Sequence, residues 1–150
     1  MSGILSIDPG PEKSAYVIWD GQKIYGMDIR HNDIIIEMLK DWELDIPLVI
    51  EQVRSYGMAV GATVFDTVFW SGRFCQAWQW GFHQVPRLNV KLHLCHDSRA
   101  KDSNIRQALI DRFEPDLKPR QRPKGILKGL KTHLWAATAL AVTFWDQNYG

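Results

Sequence analysis

The sequence predicts an α/β fold built on a five-stranded mixed sheet, with the first three strands antiparallel and helices on both faces. Residues 1–25 contain three short strand-like runs separated by turn signals, and two later apolar runs, at 48–51 and 88–95, indicate two more strands. Segments with helical spacing follow the third strand and lie between and after the later strands. This order, βββ-α-β-α-β-α-α, is typical of one mixed sheet covered on both faces. We expect a single domain over residues 1–150.

The opening segment places a carboxylate at the end of a buried strand. Residues 4–7 are apolar, Asp8 follows, and the Pro-Gly-Pro sequence at 9–11 interrupts the strand at once. A second apolar run at 15–19 ends in Asp20-Gly21, a strong hairpin signal. A carboxylate at such a point is well placed to hold a metal ion against a phosphate. Asp-Pro-Gly is also a common turn sequence, so both interpretations stand at this stage.

The later elements follow from apolar spacing. The predicted helices are 32–42, 61–80, 104–113 and 132–145. Asn32 or Asp33 is the expected cap of the first, and Asp97 or Ser98 that of the third. Ser71-Gly72 indicates a close approach to the sheet or a kink in the second, and the fourth has a slim alanine-rich face. Between the last two helices, residues 114–125 hold three prolines among basic residues, which is typical of an exposed or mobile loop.

Composition excludes several classes of protein. With 45% hydrophobic and 23% charged residues, the chain resembles an ordinary globular protein. It has neither an apolar stretch of membrane-spanning length nor a signal-peptide pattern, so we expect no membrane partner and a cytoplasmic location. Cys75 and Cys95 are too few for a disulfide framework and lack metal spacing, which predicts a reducing compartment and two buried thiols.

Charge is concentrated near the C-terminus. The net charge of +1 gives no global indication of a nucleic-acid partner, but one short segment is strongly basic. Its members are Lys118, Arg120, Arg122, Lys124, Lys128 and Lys131. A cluster this dense favours phosphate contact for the set, although each single residue is as readily explained as a solvated charge.

A second strand-end carboxylate suggests a metal site. Residues 48–50 form an apolar strand that ends at Glu51, and adjacent strands lie about 5 Å apart, so Asp8 and Glu51 could share one divalent ion. Two close carboxylates are costly without a cation, although two unrelated strand-end acids remain the alternative. Mg²⁺ suits such oxygen ligands and Mn²⁺ should substitute. A third ligand is expected from a later element, and His133 opens the last helix.

Four motifs in order resemble the RuvC-type Holliday junction resolvases, most closely the short versions carried by bacteriophages. They are the opening Ile-Leu-Ser-Ile-Asp-Pro-Gly with Ser-Ala-Tyr-Val-Ile (4–10, 14–18), Val-Ile-Glu (49–51), Ala-Lys-Asp-Ser-Asn-Ile-Arg-Gln-Ala-Leu (100–109) and His-Leu-Trp-Ala-Ala-Thr-Ala-Leu-Ala (133–141). The resemblance covers nearly the whole chain. It implies the ribonuclease H-like fold, a homodimer, and Mg²⁺-dependent nicking of four-way DNA junctions, in the host cytoplasm if the protein is phage-encoded.

The resemblance also assigns roles. Asp8 matches the family's first-strand aspartate and Glu51 its fourth-strand glutamate, both metal ligands, and His133 matches the first position of the family's last-helix motif, as a ligand or proton shuttle. The family usually has an acid three residues later, where this chain has Ala136. Three explanations are open: a natural three-residue site, replacement by Asp97 or Asp102, or an engineered inactive variant. Asp146 lies about three helical turns too far along.

Further contacts follow from the same comparison. Lys101 is a candidate phosphate contact, and Arg54, Tyr56 and Met58 follow the Glu51 strand where the family probes the junction centre. Tyr56 could stack on an unpaired base, or Tyr56 and Met58 could be core or dimer contacts. The face formed by Phe65, Phe69 and Phe74 is interpreted as core or dimer packing. The other histidines (31, 83, 93 and 96) are interpreted as structural.

The function predicted is a metal-dependent endonuclease acting on branched DNA. One alternative is a ribonuclease H-type nuclease on RNA–DNA hybrids, which shares the fold and chemistry. Another, suggested by Ala136, is a junction-binding protein with weak or no nuclease activity. A sugar-kinase or actin-like ATPase also opens with an Asp-x-Gly turn, but that fold needs two lobes and this length holds one.

Overall fold

The computed structural model describes residues 2–150, which contain five strands and five helices. The strands are β1 (Ile4–Asp8), β2 (Lys13–Trp19), β3 (Ile24–His31), β4 (Leu48–Gln52) and β5 (Phe82–Pro86). The helices are α1 (Asn32–Lys40), α2 (Ala62–Ala77), α3 (Arg87–Cys95), α4 (Asp102–Phe113) and α5 (His133–Asn148).

The five strands form one mixed sheet in the order β3-β2-β1-β4-β5. β1, β2 and β3 are antiparallel neighbours, and β4 runs parallel to both β1 and β5. The hairpin signal at Asp20-Gly21 is confirmed, because Gly21 takes a φ of 94° and the Asp20 carboxylate accepts the backbone N–H groups of Gln22 and Lys23. The predicted mixed sheet is therefore confirmed.

Helices cover both faces of the sheet, because alternate side chains of each central strand enter different cores. Leu5 and Ile7 of β1 pack with α1 and α2, whereas Ile4 packs with α3, α4 and α5. β4 alternates in the same way, because Val49 packs in the same core as Ile4, whereas Leu48 and Ile50 pack with Leu5 and Ile7. Ser6, which lies between Leu5 and Ile7, points to the side of α5 and donates to the Ala137 carbonyl at 2.7 Å.

The expectation of a strand at 88–95 is wrong, since these residues form α3. A strand would bury Leu88, Val90 and Leu92 on one face, but Leu92 is 46% exposed and only Val90 of the helix is fully buried. The true fifth strand, β5, lies at the sheet edge and buries only Val85 and Pro86. Backbone pairing with β4 therefore defines this strand more than an apolar pattern does.

Several helix ends differ from those predicted. Asn32 is the first residue of α1 rather than its cap, and the cap position is His31. α4 begins at Asp102 after Lys101, so neither Asp97 nor Ser98 caps it. α2 is continuous through Ser71-Gly72, where Ser71 is buried and a Cβ on Gly72 would meet nothing within 4 Å.

The basic segment is exposed as predicted, but a single carboxylate ties it to the protein. Glu114 accepts the backbone N–H groups of Lys124, Gly125 and Leu127, and the Leu127 side chain is fully buried. Burial opposes ionisation of Glu114, yet these N–H donors outweigh it and lower the pKa of the carboxyl. The segment is thus an exposed loop, as one of the two predicted alternatives has it, and Glu114 ties it to the end of α4.

The remaining structural expectations concern cysteines and membranes. Both cysteines are unpaired thiols, and Cys75 is buried as predicted. The prediction of burial is wrong for Cys95, which is half-buried at the C-terminal end of α3. None of the helices in residues 2–150 is long and apolar enough to cross a bilayer.

Candidate active site

The register of the two central strands brings Asp8 and Glu51 together. β1 pairs with β4 through Ser6–Val49 and Ile7–Ile50, so the next residues along, Asp8 at the end of β1 and Glu51 one residue before the end of β4, lie side by side. Both follow the alternation of Ser6 and Val49 and so face α5. Asp8 is 7% exposed, and the Glu51 side chain is 20% exposed. The predicted juxtaposition of the two carboxylates is confirmed.

A closed set of hydrogen bonds fixes the turn that follows Asp8. The Gly10 N–H donates to Ser14 Oγ at 3.0 Å, Ser14 Oγ donates to Asn32 Oδ1 at 2.6 Å, and Asn32 Nδ2 donates to the Gly10 carbonyl at 2.9 Å. A Cβ on Gly10 would collide with the Lys13 carbonyl, so only glycine fits. This turn holds the Asp8 backbone in place and explains why a polar residue, Asn32, is buried.

Helix α5 carries His133 to the same point. The Ser6 bond to the Ala137 carbonyl joins the first turns of α5 to β1, and the alanine face of the helix allows this close approach. His133 opens α5, and its Nδ1 lies 2.9 Å from Asp8 Oδ2 while 77% of its side chain is exposed. The three residues predicted as the site are thus neighbours.

The electrostatics of the three groups are coupled. Burial, reinforced by the neighbouring Asp8 charge and partly offset by Arg87, raises the pKa of Glu51 to about 7. The hydrogen bond to Asp8 raises the pKa of His133, with burial opposing and the charges of Asp8 and Glu51 adding to the rise. The two carboxylates therefore lie close enough to act on each other and on His133.

A cavity of about 400 Å³ opens over these residues. Two of the arginine side chains of the protein line it, and neither was predicted from the sequence as a site residue. Arg87 and Arg106 line it together with Asp8, Glu51 and His133, and Asp102, Thr132, Trp135 and Ala136 also contribute. Arg87 Nη1 lies 3.6 Å from Glu51 Oε1, and its other amino group pairs with Asp102. Arg106 stacks over the Trp135 ring.

The position of Arg87 in the chain, directly after β5, could have identified it as a site residue. β5 is parallel to β4 with Val85 opposite Glu51, so the residue after Pro86 reaches the edge where the carboxylates lie. Placing the strand at 88–95 hid this relation. Of the two acids considered as replacements at Ala136, Asp102 lines the cavity, whereas Asp97 lies outside it and accepts the Arg99 N–H.

Three of the predicted DNA-contact residues, Arg54, Tyr56 and Lys101, do not line the cavity. Arg54 bonds Gln52, and Tyr56, at a φ of 51°, lies with its hydroxyl 3.4 Å from the Leu88 nitrogen. Tyr56 and Met58 are 54% and 73% exposed, so the core interpretation of these two is wrong. Lys101 directly precedes α4.

The basic segment spreads along one side of the molecule. Lys131 lies two residues before His133, but Lys128 lies over the start of β3, towards the opposite end of the sheet. Lys118, Arg120, Arg122 and Lys124 are exposed between Glu114 and Gly125. None of these six side chains lines the cavity.

The donor set fits a divalent ion that keeps part of its water shell. Within residues 2–150, no three His, Cys, Asp or Glu side chains form a ready ligand cluster. Mg²⁺, however, is commonly held by one or two carboxylates with waters and substrate phosphates as the other ligands. Asp8 and Glu51 supply two such carboxylates.

Comparison with known proteins gives a structural likeness. No family model matches the chain, and no curated protein matches it. A structure of Thermus thermophilus RuvC is similar over 97% of this chain and 95% of its own, with a TM-score of 0.62 and 15% identity. A second, T. thermophilus RuvC in complex with a Holliday junction substrate, covers 95% of this chain and 92% of its own, with a TM-score of 0.61 and 14% identity.

At these identities the likeness is evidence of the fold. Closeness to the bacteriophage versions gains no support from the two structures and stays a prediction. The order of elements, the mixed five-stranded sheet and the match over nearly the whole chain agree. The chain therefore has the ribonuclease H-like fold of RuvC.

Proposed function

We propose that this protein is a structure-selective, Mg²⁺-dependent endonuclease that nicks four-way or other branched DNA. The observation that carries the proposal is the pairing of Asp8 and Glu51 on adjacent strands, where they line a cavity that Arg87 and Arg106 also line. Support also comes from the shared fold, since one of the similar RuvC structures is a complex with a Holliday junction substrate.

Asp8 and Glu51 would hold the divalent ion. When bound, Mg²⁺ would lower the pKa of a water molecule and neutralise charge on the scissile phosphate. The residues of the chain orient the substrate and move protons around that centre. His133 is well placed for the second task, because it contacts Asp8 and remains largely open to the cavity.

The reaction adds water across a phosphodiester. A P–O bond forms to the water oxygen as the P–O3′ bond breaks, one proton leaves the water, and one proton reaches the leaving 3′ oxygen. The products are 5′-phosphate and 3′-hydroxyl ends. The helix α5 N–H groups beside His133 also favour negative charge at this end of the cavity.

DNA would lie across the rim of the cavity. Arg54, Tyr56 and Lys101 are placed beside it, and the basic segment extends the positive surface along one side as far as Lys128. The Glu114 tether holds that segment in one shape before any DNA arrives. Arms of a branched substrate are long enough to contact both regions together.

A homodimer suits a two-fold symmetric junction, and α2 offers the surface for it. Phe74 is buried in the core, but Phe65, Val68 and Phe69 are 64%, 47% and 62% exposed on the outer face of α2. We expect light scattering to give twice 17.3 kDa, and a Phe65→Ser/Phe69→Ser variant to be monomeric. A monomeric wild-type protein would contradict this assignment.

The function is tested by offering three substrates side by side with Mg²⁺: a synthetic four-way junction, a linear duplex of the same sequence, and an RNA–DNA hybrid. We expect paired, symmetric nicks in the junction alone. Cleavage of the hybrid but not the junction would favour the ribonuclease H-type alternative. Tight junction binding without any cleavage would favour the binding-protein alternative, for which Ala136 is the supporting observation.

A further inference from the structure

Arg87 lines the cavity together with Asp8 and Glu51. It is the first residue of α3 and follows β5 directly, so its backbone lies at the edge of the sheet beside Glu51. Its guanidinium is divided between Glu51 and Asp102, and 31% of the side chain is exposed to the cavity.

Arg87 also borders the space next to Ala136. Both residues line the main cavity, and both line a smaller void of about 10 Å³ beneath it, together with Asp8 and Glu51. A positive group therefore adjoins the position at which the sequence resemblance leads one to expect an acid. Compared with a site that has an acid at 136 and no arginine at 87, this site is more positive by two charges, the charge of one divalent ion.

A guanidinium is chemically suited to bind a phosphate and to stabilise its negative charge. It presents paired N–H donors that match two oxygens of a phosphate, and arginine clamps are a recurrent way to stabilise charge on a transferring phosphoryl group. Asp102, the second partner of Arg87, has a side chain that is 82% exposed. When a phosphate binds Arg87, water can therefore hydrate the Asp102 carboxylate in place of the guanidinium.

We propose that Arg87 binds the scissile phosphate directly and supplies the positive charge that a second metal ion would supply, so that the site works with one divalent ion. Asp102 is then the counter-ion that positions Arg87 when no DNA is bound. This inference rests on the proposed function. Arg87 gives and takes no proton, and the bonds formed and broken are those of the hydrolysis described above.

The first test compares substitutions on the two sides of the Arg87–Asp102 pair. Arg87→Gln removes the charge and keeps a polar side chain that can donate hydrogen bonds, and we expect it to lower kcat about a hundredfold or more. Arg87→Lys should recover part of that loss. Asp102→Asn leaves the Arg87 charge in place, so we expect a loss within about tenfold. Asp102→Asn as damaging as Arg87→Gln would show a structural ion pair and overturn the proposal.

The second test measures binding without activity. In EDTA, Arg87→Gln should weaken junction affinity and reduce the slope of log affinity against log salt by about one, as expected for one lost phosphate contact. Lys40→Ala removes a single surface charge at the C-terminal end of α1, outside the cavity, and is the control, expected to change neither value. An unchanged affinity and slope for Arg87→Gln would contradict direct phosphate contact.

The third test counts ions. Titration with Mn²⁺, followed by electron paramagnetic resonance, should give one tightly bound ion per wild-type chain and per Arg87→Gln chain. The double variant Arg87→Gln/Ala136→Asp should bind two, because it replaces the cation with an acid. Two ions in the wild type would overturn the inference, and so would loss of Mn²⁺ binding in Asp102→Asn, which would make Asp102 a ligand.

Failure of this inference and failure of the proposed function give different results. A wild-type protein that never cuts branched DNA contradicts the function itself. A wild-type protein that cuts junctions while Arg87→Gln cuts equally well contradicts only the role of Arg87.

Discussion

The cavity has two walls of opposite construction. The carboxylate wall, Asp8 and Glu51, stands on strands joined by backbone hydrogen bonds, and its charges are largely buried. The helix wall, Arg87 and Asp102, stands on the first residues of two helices, and Asp102 is mostly exposed. The two walls therefore differ in charge and in access to solvent, since one is anionic and largely buried and the other pairs a cation with an exposed acid.

The largest effect is expected from the carboxylate wall. Asp8→Asn should reduce Mg²⁺-dependent cleavage of a four-way junction on the order of a thousandfold, because the neutral amide attracts a cation weakly. Junction binding in EDTA should be equal or tighter, since a charge facing phosphate is gone. Asp45→Asn, an exposed acid before β4 at the other end of the sheet, is the control. Undiminished cleavage by Asp8→Asn would contradict the assignment.

The turn behind Asp8 should be intolerant of even one added carbon. Gly10→Ala brings a Cβ against the Lys13 carbonyl, so we expect a loss of about 1–3 kcal/mol in the free energy of unfolding, measured with urea. Gly72→Ala is the matched control, because its Cβ meets nothing within 4 Å inside a helix and should stabilise by up to about 1 kcal/mol. Equal effects at the two glycines would refute the turn's role.

The tether of the basic segment should respond to acid. Glu114→Ala removes the acceptor of three backbone N–H groups, and we expect it to cost about 1–2 kcal/mol at neutral pH. The lowered pKa of Glu114 means that its stabilisation is present above the unfolded pKa of about 4.3 and disappears as the pH falls through the folded value.

The difference in unfolding free energy between wild type and Glu114→Ala should therefore shrink on acidification below about pH 4. Glu37→Ala, which removes an exposed acid loosely paired with Lys40, serves as the comparison. A difference for Glu114→Ala that persists unchanged in acid would show that the tether does not depend on the carboxylate charge.

We expect the smallest effect on junction binding from Lys128, which belongs to neither wall of the cavity. Lys128→Ala should weaken junction binding modestly at all sequences and reduce the salt slope by about one, without changing kcat at saturating DNA. Gel-shift titrations at several salt concentrations measure this. No change in slope would place Lys128 outside the DNA path.

The two walls also differ in how far sequence reasoning reaches them. Asp8 and Glu51 each end an apolar run, and apolar runs identify buried strands from local sequence alone. Their pairing then follows from the order of elements in a mixed sheet. His133 was found from its position at the start of the last helix, and the structure places it against Asp8.

Arg87 was missed because its strand carries no apolar pattern. β5 is an edge strand with three exposed residues, and its position depends on hydrogen bonds to β4 that a local pattern cannot reveal. The alternation of residues 88–95 imitated a strand, although in α3 only Val90 is fully buried. The tether at Glu114 was missed for a similar reason, because it joins backbone groups ten or more residues away.

The account of the two walls is tested most directly by a crystal of the full chain soaked in Mn²⁺. We predict one anomalous peak within coordination distance of Asp8 and Glu51, and none beside Ala136 and Arg87. The absence of a peak at the carboxylates, in protein shown to cut junctions with Mn²⁺, would contradict the account.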